Sequence, residues 1–331
     1  MLNRPYFIIP CFKILSFLLS FSLLIGCASM ASKRTASNSH YSNNQQIAKE
    51  TKKILVINSN QSIERYQIAE SVFVASLDEY HTSVVNLEKE NQPAEYLQDL
   101  LNQGVYDLVY CIGAKALGSI DYIDPGLPVV YTSVLNWRKF EGRKNYFGIS
   151  SELSPQVQLT WIKYFFPELT KIGVFYSEEN QALIDDSMAA SKNLSLNLKP
   201  LKLDSEDQRL LSAEKFLSEI DALWLISDSS TISSIENVNI LFHLAEKLSI
   251  PVVTYNPLFM DIGAIMSLAA DLPTTARQAA LITKKLLEAG MSEQAIQYPA
   301  GSSIILSGQK LKQYKIKLNP SVLDSVDELR D

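Results

Sequence analysis

The sequence predicts an α/β protein with two lobes, each a doubly wound parallel sheet joined to the other by a hinge. From Lys52 onward, short apolar runs alternate with amphipathic stretches of helical length. Strands that are apolar along their whole length are typical of parallel sheets covered by helices on both faces. The alternation starts again near Ser154, and two such series in one chain predict two lobes.

The first series has four predicted strands with helices between them. The strands are residues 54–57, 84–85, 107–112 and 128–131, and the helices are 63–80, 93–103 and 114–119. A stretch rich in Arg, Lys, Asn and Gly follows at 137–146. We interpret this stretch as the first crossing between the lobes.

The second series opens with Ser154 as a helix N-cap and Pro155 at the first helical position. The predicted helices are residues 155–166, 181–193, 207–219, 232–248 and 274–288. The predicted strands are residues 171–176, 198–203, 222–226, 251–254, 264–268 and 303–306. Gly290 is expected to end the last of these helices.

The N-terminus has the pattern of an export signal. Arg4 and Lys13 accompany an uncharged apolar run at 14–25, which ends at Gly26 and Cys27. A basic start followed by an apolar run is typical of a signal peptide, and the small residues before Cys27 resemble a bacterial lipobox. We therefore predict a signal peptide at 1–26 and a lipid, of the palmitate type, on Cys27. The alternative is an uncleaved membrane anchor, which usually needs roughly 20 apolar residues.

Residues 27–51 are predicted to be a flexible tether between the lipid and the folded part. Ser, Asn, Gln, Lys and Thr dominate there, and such a composition has too little apolar surface to offset its ordering entropy. Ala28 follows the lipid-bearing cysteine instead of an Asp that would resemble an inner-membrane retention signal. This favours the outer membrane if the host is Gram-negative. Only Cys111 then remains, so no disulfide within the chain is expected.

The sequence offers little for catalysis, for a metal or for nucleic acid. The chain has three histidines, and none has a metal-ligand partner at suitable spacing. Residues 113–118 resemble a phosphate loop only by spacing, because Ser119 stands where that motif needs Lys. The formal net charge of −6 gives no electrostatic basis for binding nucleic acid. We expect no cofactor, no metal and no enzymatic activity.

Candidate ligand contacts follow from strand order, because ligands bind at the carboxyl ends of strands in open parallel sheets. The residues that follow predicted strands are mostly small and polar. They are Ser59, Asn60, Gln61, Gly113, Ala114, Ser133, Ser177, Asp228, Ser229, Tyr255 and Asn256. Asp228 would pair with a ligand ammonium. The helix that begins after Gly113 would offer free backbone N–H groups to its carboxylate.

Several stretches, in order, resemble the ABC transporter substrate-binding protein family with the type I periplasmic-binding fold, in the branch that includes tryptophan- and tyrosine-binding members. They are residues 147–150, 154–159, 166–176, 226–232, 250–253, 263–264 and 277–290. The resemblance implies a hinge crossed about three times, solute capture between the lobes and a last long helix that returns to the first lobe. It gives an N-terminal lobe of residues 52–140 with about 270–290, and a C-terminal lobe of 141–269 with about 291–331.

The chain departs from the family pattern in two loops. Thr132-Ser133-Val134 stands where the family commonly has Thr-Asp-Pro, and the loop at 58–62 lacks a His-Pro pair. Two hypotheses for function remain open. The first is a lipid-anchored component of an ABC importer that delivers a small amino-acid-like solute to a permease. The second is an outer-membrane lipoprotein that uses the same fold to bind and regulate another envelope protein.

Overall fold

The computed structural model describes residues 51–91, 93–135, 137–203, 206–290 and 295–331. The predicted signal peptide, Cys27, Ala28 and all of the predicted tether except Thr51 lie outside the described residues. Residues from Glu50 to Asp331 form one compact unit. Among the residues described, no helix combines the length and the apolar character needed to cross a membrane.

The first lobe is a six-stranded parallel sheet in the order β11-β5-β4-β3-β1-β2. Its strands are β1 Lys53–Asn58, β2 His81–Asn86, β3 Leu108–Ile112, β4 Val129–Thr132, β5 Tyr146–Ile149 and β11 Ile296–Gln297. Its helices are α1 Glu64–Ala75, α2 Pro93–Leu101, α3 Ala114–Ile123 and α8 Leu272–Ala289.

The second lobe is a seven-stranded sheet in the order β13-β12-β10-β9-β8-β6-β7. Its strands are β6 Lys171–Tyr176, β7 Asn197–Lys202, β8 Ala222–Leu225, β9 Val252–Thr254, β10 Met266–Ala270, β12 Ser302–Ser307 and β13 Glu328–Arg330. Its helices are α4 Pro155–Phe165, α5 Gln181–Asn193, α6 Glu206–Leu217, α7 Ile235–Lys247 and α9 Gly308–Tyr314. Only β12 runs antiparallel to its neighbour β10.

Each sheet buries both of its faces, as the apolar strands predict. In β1, Ile54 and Val56 belong to one buried cluster, and Leu55 and Ile57 belong to another. This is the alternation of side chains along a strand, here with apolar residues on both faces. The two clusters lie on opposite faces of the first sheet. The structure confirms the predicted α/β class with two parallel-dominated sheets.

The long helix α8 packs on the first sheet. Asp271 caps its N-terminus by accepting the Thr274 N–H at 2.9 Å, and Gly290 ends it with φ of +68°. Ala276, Ala279 and Ala280 lie in the same buried cluster as Phe73 of α1. Small side chains on this face let α8 lie close to α1 and the sheet.

The chain passes between the two sheets three times, after β5, after β10 and after β11. The interpretation of residues 137–146 as the first crossing was wrong. They contain a 3-10 helix, Trp137–Phe140, and lead into β5, which pairs with β4 in the first sheet. The first crossing comes after Ile149.

Two strands of the first sheet fall in ranges that the sequence assigned to the C-terminal lobe. These are β5, within 141–269, and β11, within 291–331. β5 has four residues, and Gly148 interrupts its apolar run. A Cβ on Gly148 would overlap the Tyr131 ring, so the glycine lets β5 pair beside that ring.

Candidate functional site

A small cavity lies where the chain crosses between the lobes. Arg138, from the 3-10 helix after β4, and Tyr298, from the third crossing, contribute to its lining, as do Glu152 and Leu153 from the first crossing. The second lobe contributes Gln158, Asn180, Leu183, Ile226, Ser227 and Tyr255. Its volume of about 10 Å³ is the space of about one water molecule, so a solute could enter only when the lobes move apart.

The first-lobe part of the lining is held by an aromatic cluster. The Trp137 Nε1 donates a hydrogen bond to the Glu152 carboxylate at 3.0 Å. The Arg138 guanidinium lies 4.3 Å from the centre of the Trp137 ring, and the Tyr298 ring meets Trp137 edge-on at 6.1 Å. Trp137 therefore links the loop after β4 to both the first and the third crossing.

Both cavity tyrosines are neutral near pH 7. Burial raises the pKa of Tyr255, although its hydrogen bond with Ser227 acts in the opposite direction. Burial also raises the pKa of Tyr298, and here the charge and hydrogen bond of Arg138 oppose the shift. Each hydroxyl can thus donate one hydrogen bond and accept others.

Gln158 lines the cavity and is hydrogen-bonded to the protein through both its amide nitrogen and its amide oxygen. Its Nε2 donates to the Leu153 carbonyl at 2.7 Å, and its Oε1 accepts from the Trp224 Nε1 at 2.9 Å. Since Trp224 lies in β8 and is completely buried, this pair fixes the start of α4 against the second sheet.

Tyr255 is the one member of the eleven sequence-predicted contacts that lines the cavity as the structure describes it. It follows β9, at the edge where the prediction placed it. The other ten residues lie in the loops after strands or, for Ala114, at the start of α3, and most of them bind protein groups instead.

Ser59, Gly113 and Ala114 lie together at the carboxyl ends of β1 and β3. The Ser59 Oγ accepts the Ala116 N–H at 2.9 Å, and Gly113 is the N-cap of α3 with φ of +86°. A Cβ on Gly113 would lie 2.7 Å from that Oγ and 2.8 Å from Tyr66 Cζ. The turn therefore requires glycine for both backbone conformation and space.

Asn60 and Gln61 hydrogen-bond to protein groups, Asn60 within its own loop and Gln61 on α1. The Asn60 Oδ1 accepts from the backbone and side chain of Ser62 at 2.8 and 2.6 Å. The Gln61 Nε2 donates to both carboxylate oxygens of Glu70, at 2.7 and 2.8 Å. These side chains shape the loop between β1 and α1.

The remaining small polar residues are spread over both lobes. Ser133 follows β4 with φ of +59° and is half-buried. The exposed Ser229 donates its N–H to Glu179 at 2.9 Å. Asn256 caps a 3-10 helix by accepting the Leu258 N–H at 3.1 Å. Ser177 donates its N–H and its Oγ to Asp228.

Asp228 is 2% exposed and its carboxylate is saturated with protein donors. Oδ2 accepts from Ser177 and Asn180, and Oδ1 accepts from Ser230 and Thr231. Burial alone would raise the pKa of Asp228, but the hydrogen bonds from Ser230, Asn180 and Ser177 outweigh it and hold the pKa low. Asp228 is ionised, and it is not among the residues that line the cavity.

Several lining residues were not predicted. Arg138, Glu152 and Tyr298 lie on or beside the crossings, so a search of the segments between lobes would have found them. Ser227 immediately precedes Asp228 in the loop after β8, and Asn180 lies three residues after Ser177. Their roles depend on partners distant in sequence.

Within the described ranges, no group of three or more His, Cys, Asp or Glu side chains could hold a metal ion. Cys111 is fully buried, and burial raises the pKa of its thiol.

A family model described as ABC transporter substrate binding protein matches residues 77–330. The chain belongs to this family. Substrate-binding proteins of the family are extracytoplasmic and are not enzymes, which confirms the prediction that this chain has no catalytic activity. No curated protein matches the sequence.

Solved structures of substrate-binding proteins share the fold of this family member. The ligand-free, open structure of CD0873 from Clostridium difficile, a substrate binding protein with adhesive properties, has a TM-score of 0.66 at 16% identity, covering 85% of this chain and 99% of that chain. The ABC domain from Streptococcus pneumonia in complex with L-Trp has a TM-score of 0.56 at 16% identity, covering 84% and 100%.

A mutant XylFII-LytSN complex also matches, with a TM-score of 0.54 at 13% identity, covering 77% of this chain and 98% of that chain. These likenesses confirm the type I periplasmic-binding fold.

Proposed function

We propose that this substrate-binding protein captures a small amino-acid-like solute in the cavity between its lobes and delivers it to an ABC importer. The observation that carries this proposal is the pairing of one cation and one carboxylate in the lining, Arg138 and Glu152. A zwitterion presents the two complementary charges. Arg138 would bind the solute carboxylate, and Glu152 would bind its ammonium.

The rest of the lining fits the body of such a solute. Leu153, Leu183 and Ile226 offer apolar surface, while Ser227 and Tyr255 offer hydroxyl groups. The structural neighbour that holds L-Trp supports this solute class.

The sequence-predicted contacts of the first lobe extend the proposed site. Ser59, Gly113, Ala114 and Ser133 lie at the carboxyl ends of β1, β3 and β4. They would form the first-lobe wall when the lobes close on a solute.

A ligand screen tests the proposal. Residues 50–331 form one compact unit with its own buried clusters, so this fragment is expected to fold alone. A solute at 100 times its dissociation constant adds about 2.7 kcal/mol of stability, which a thermal shift against amino acids, nucleosides and sugars would detect. Arg138→Gln and Glu152→Gln should each weaken binding of an amino-acid hit about tenfold or more, since a hydrogen bond to a charged group is lost.

Lys139→Gln is the matched control, because Lys139 is adjacent to Arg138 and exposed. It should leave the affinity unchanged. A hit whose affinity survives both cavity substitutions would place the site elsewhere. A hit among sugars only would reject the solute class.

Attachment to a membrane through Cys27 is a further part of the proposal, supported by Gly26-Cys27 at the end of the apolar run. Labelled palmitate should enter the full chain, and Cys27→Ala should abolish that labelling and release the protein from the membrane fraction. Separation of inner and outer membranes would then test the preference for the outer membrane that Ala28 suggests.

The second candidate function is binding of another envelope protein with the same fold. The likeness to the XylFII-LytSN complex favours it, and so does the engagement of Asn60 and Gln61 by protein groups. No thermal shift with any solute, together with a crosslink to one envelope protein in cells, would support this function over import.

A further inference from the structure

Asp228 connects two loops of the second lobe. It follows β8, and its Oδ2 accepts the Ser177 N–H at 2.7 Å and the Asn180 Nδ2 at 2.9 Å, from the segment after β6. Its Oδ1 accepts the N–H groups of Ser230 and Thr231, each at 3.0 Å, within its own loop. Hydroxyl groups of Ser177, Ser230 and Thr231 add three more hydrogen bonds. A carboxylate has about four acceptor sites, so no capacity is left for a solute ammonium.

The bonds of Asp228 lead to the cavity. Asn180 lines the cavity, and its Nδ2 also donates to the Ser227 carbonyl at 3.1 Å. Ser227 lines the cavity too. One buried carboxylate therefore holds two lining groups in sequence, first Asn180 and then, through Asn180, the Ser227 carbonyl.

We propose that Asp228 is a positioning residue that sets the second-lobe wall of the cavity through Asn180 and Ser227, without contacting the solute. This inference rests on the proposed function, because its first test measures solute binding. It replaces the direct contact with an ammonium that the sequence suggested for Asp228.

Asp221 provides a matched control at the opposite end of the same strands. It precedes β8, and its Oδ2 accepts the N–H groups of Thr170 and Lys171 at 2.9 and 2.8 Å, beside the start of β6. Both aspartates thus connect β6 to β8 through backbone donors. They are seven residues apart, so about 20 Å of extended chain separates them, and only Asp228 is next to the cavity.

The experiment compares Asp228→Asn with Asp221→Asn in the 50–331 fragment, with L-tryptophan as the probe in calorimetric titration at pH 7. Asp228→Asn replaces one carboxylate oxygen, which accepts hydrogen bonds, with an NH₂ group that would face the N–H and O–H donors around it. It should weaken binding by about tenfold or more, since hydrogen bonds to a charged group are lost at the wall. Asp221→Asn should lower stability but leave affinity unchanged. Ser177→Ala, which removes one hydroxyl donor, is the milder variant if Asp228→Asn does not fold.

A double-mutant cycle with Asn180→Ala separates positioning from general destabilisation. Once Asn180 is removed, Asp228→Asn should weaken binding much less than it does in the wild type. Equal effects in both backgrounds, or unchanged affinity in Asp228→Asn, would overturn the inference.

If the wild-type fragment binds no amino acid, the proposed function is rejected but the positioning role of Asp228 is not. Backbone hydrogen exchange then tests that role. Asp228→Asn should then speed exchange at Ser177 and Asn180 relative to Asp221→Asn. Exchange that is the same in the two variants would overturn the positioning role.

Discussion

Two buried tyrosines in neighbouring strands of the first sheet should respond oppositely to loss of their hydroxyl groups. Tyr110 in β3 and Tyr131 in β4 are both 0% exposed. The Tyr110 hydroxyl shares a hydrogen bond of 2.7 Å with Thr132 Oγ1. Within the described part of the chain, the Tyr131 hydroxyl has no hydrogen-bond partner. Burial raises the pKa of both phenols, so both are neutral at pH 7.

The magnitudes follow from these partners. A net hydrogen bond contributes about 0.5–1.5 kcal/mol, and a buried polar group left without a partner costs about 1–3 kcal/mol. Tyr110→Phe keeps the ring stacked on Phe73 but leaves the Thr132 hydroxyl without its partner. It should therefore lower the free energy of unfolding by about 1–2 kcal/mol. Tyr131→Phe removes an unsatisfied hydroxyl and should raise that free energy by up to about 1 kcal/mol.

Urea unfolding of the 50–331 fragment, followed by circular dichroism, measures both variants. The slope of the free energy with urea should stay the same, because neither variant changes the surface exposed on unfolding. If Tyr131→Phe destabilises the fragment as much as Tyr110→Phe does, then the Tyr131 hydroxyl has a partner and the reasoning is refuted.

Three further predictions concern the two sheets. Gly148→Ala should destabilise the fragment by about 1–3 kcal/mol, because the new Cβ meets the Tyr131 ring; normal stability in thermal melts would contradict the close approach. Trp224→Phe should lower the free energy of unfolding by about 1–3 kcal/mol, because it leaves the Gln158 Oε1 without its donor. The double variant with Gln158→Leu should recover part of this loss. No recovery would show that the hydrogen bond between the two side chains does not account for the loss.

The third concerns pH. Burial acts to raise the pKa of Asp221, but hydrogen bonds from the backbone of Lys171 and Thr170 hold that pKa below the ordinary value for an aspartate. An aspartate whose pKa is lowered in the folded state stabilises the protein at any pH above its pKa in the unfolded chain. This stabilisation is lost as the pH falls through the lower pKa of the folded state. Asp221→Asn should flatten the acid side of the stability profile, and an unchanged profile would contradict this.

Much of the fold could be predicted from the sequence, since it depends on local patterns. The runs at 54–57 and 171–176 read directly as buried strands, and Ser154 with Pro155 marked the start of α4. The Ser154 Oγ accepts the Val157 N–H at 3.3 Å, as an N-cap should. The elements that were missed, such as β5 and β11, have four and two residues. Runs that short carry little periodicity.

The candidate site was predicted less completely. Strand order placed the predicted contacts at the carboxyl edge of the sheets, and Tyr255, which lies at that edge, lines the cavity. Strand ends are polar in α/β proteins for many reasons, however, and position alone could not separate a side chain that faces the cavity from one that holds a loop.

The sequence by itself determined the two-lobed α/β class and the edge of the sheets where polar residues gather, because side-chain periodicity encodes both. Only the tertiary structure decided which polar groups face the cavity. Asp228 binds Ser177, 51 residues away, and Trp224 binds Gln158, 66 residues away. Whether a carboxylate or an amide is already hydrogen-bonded to protein groups depends on such distant partners, and no local pattern carries that information.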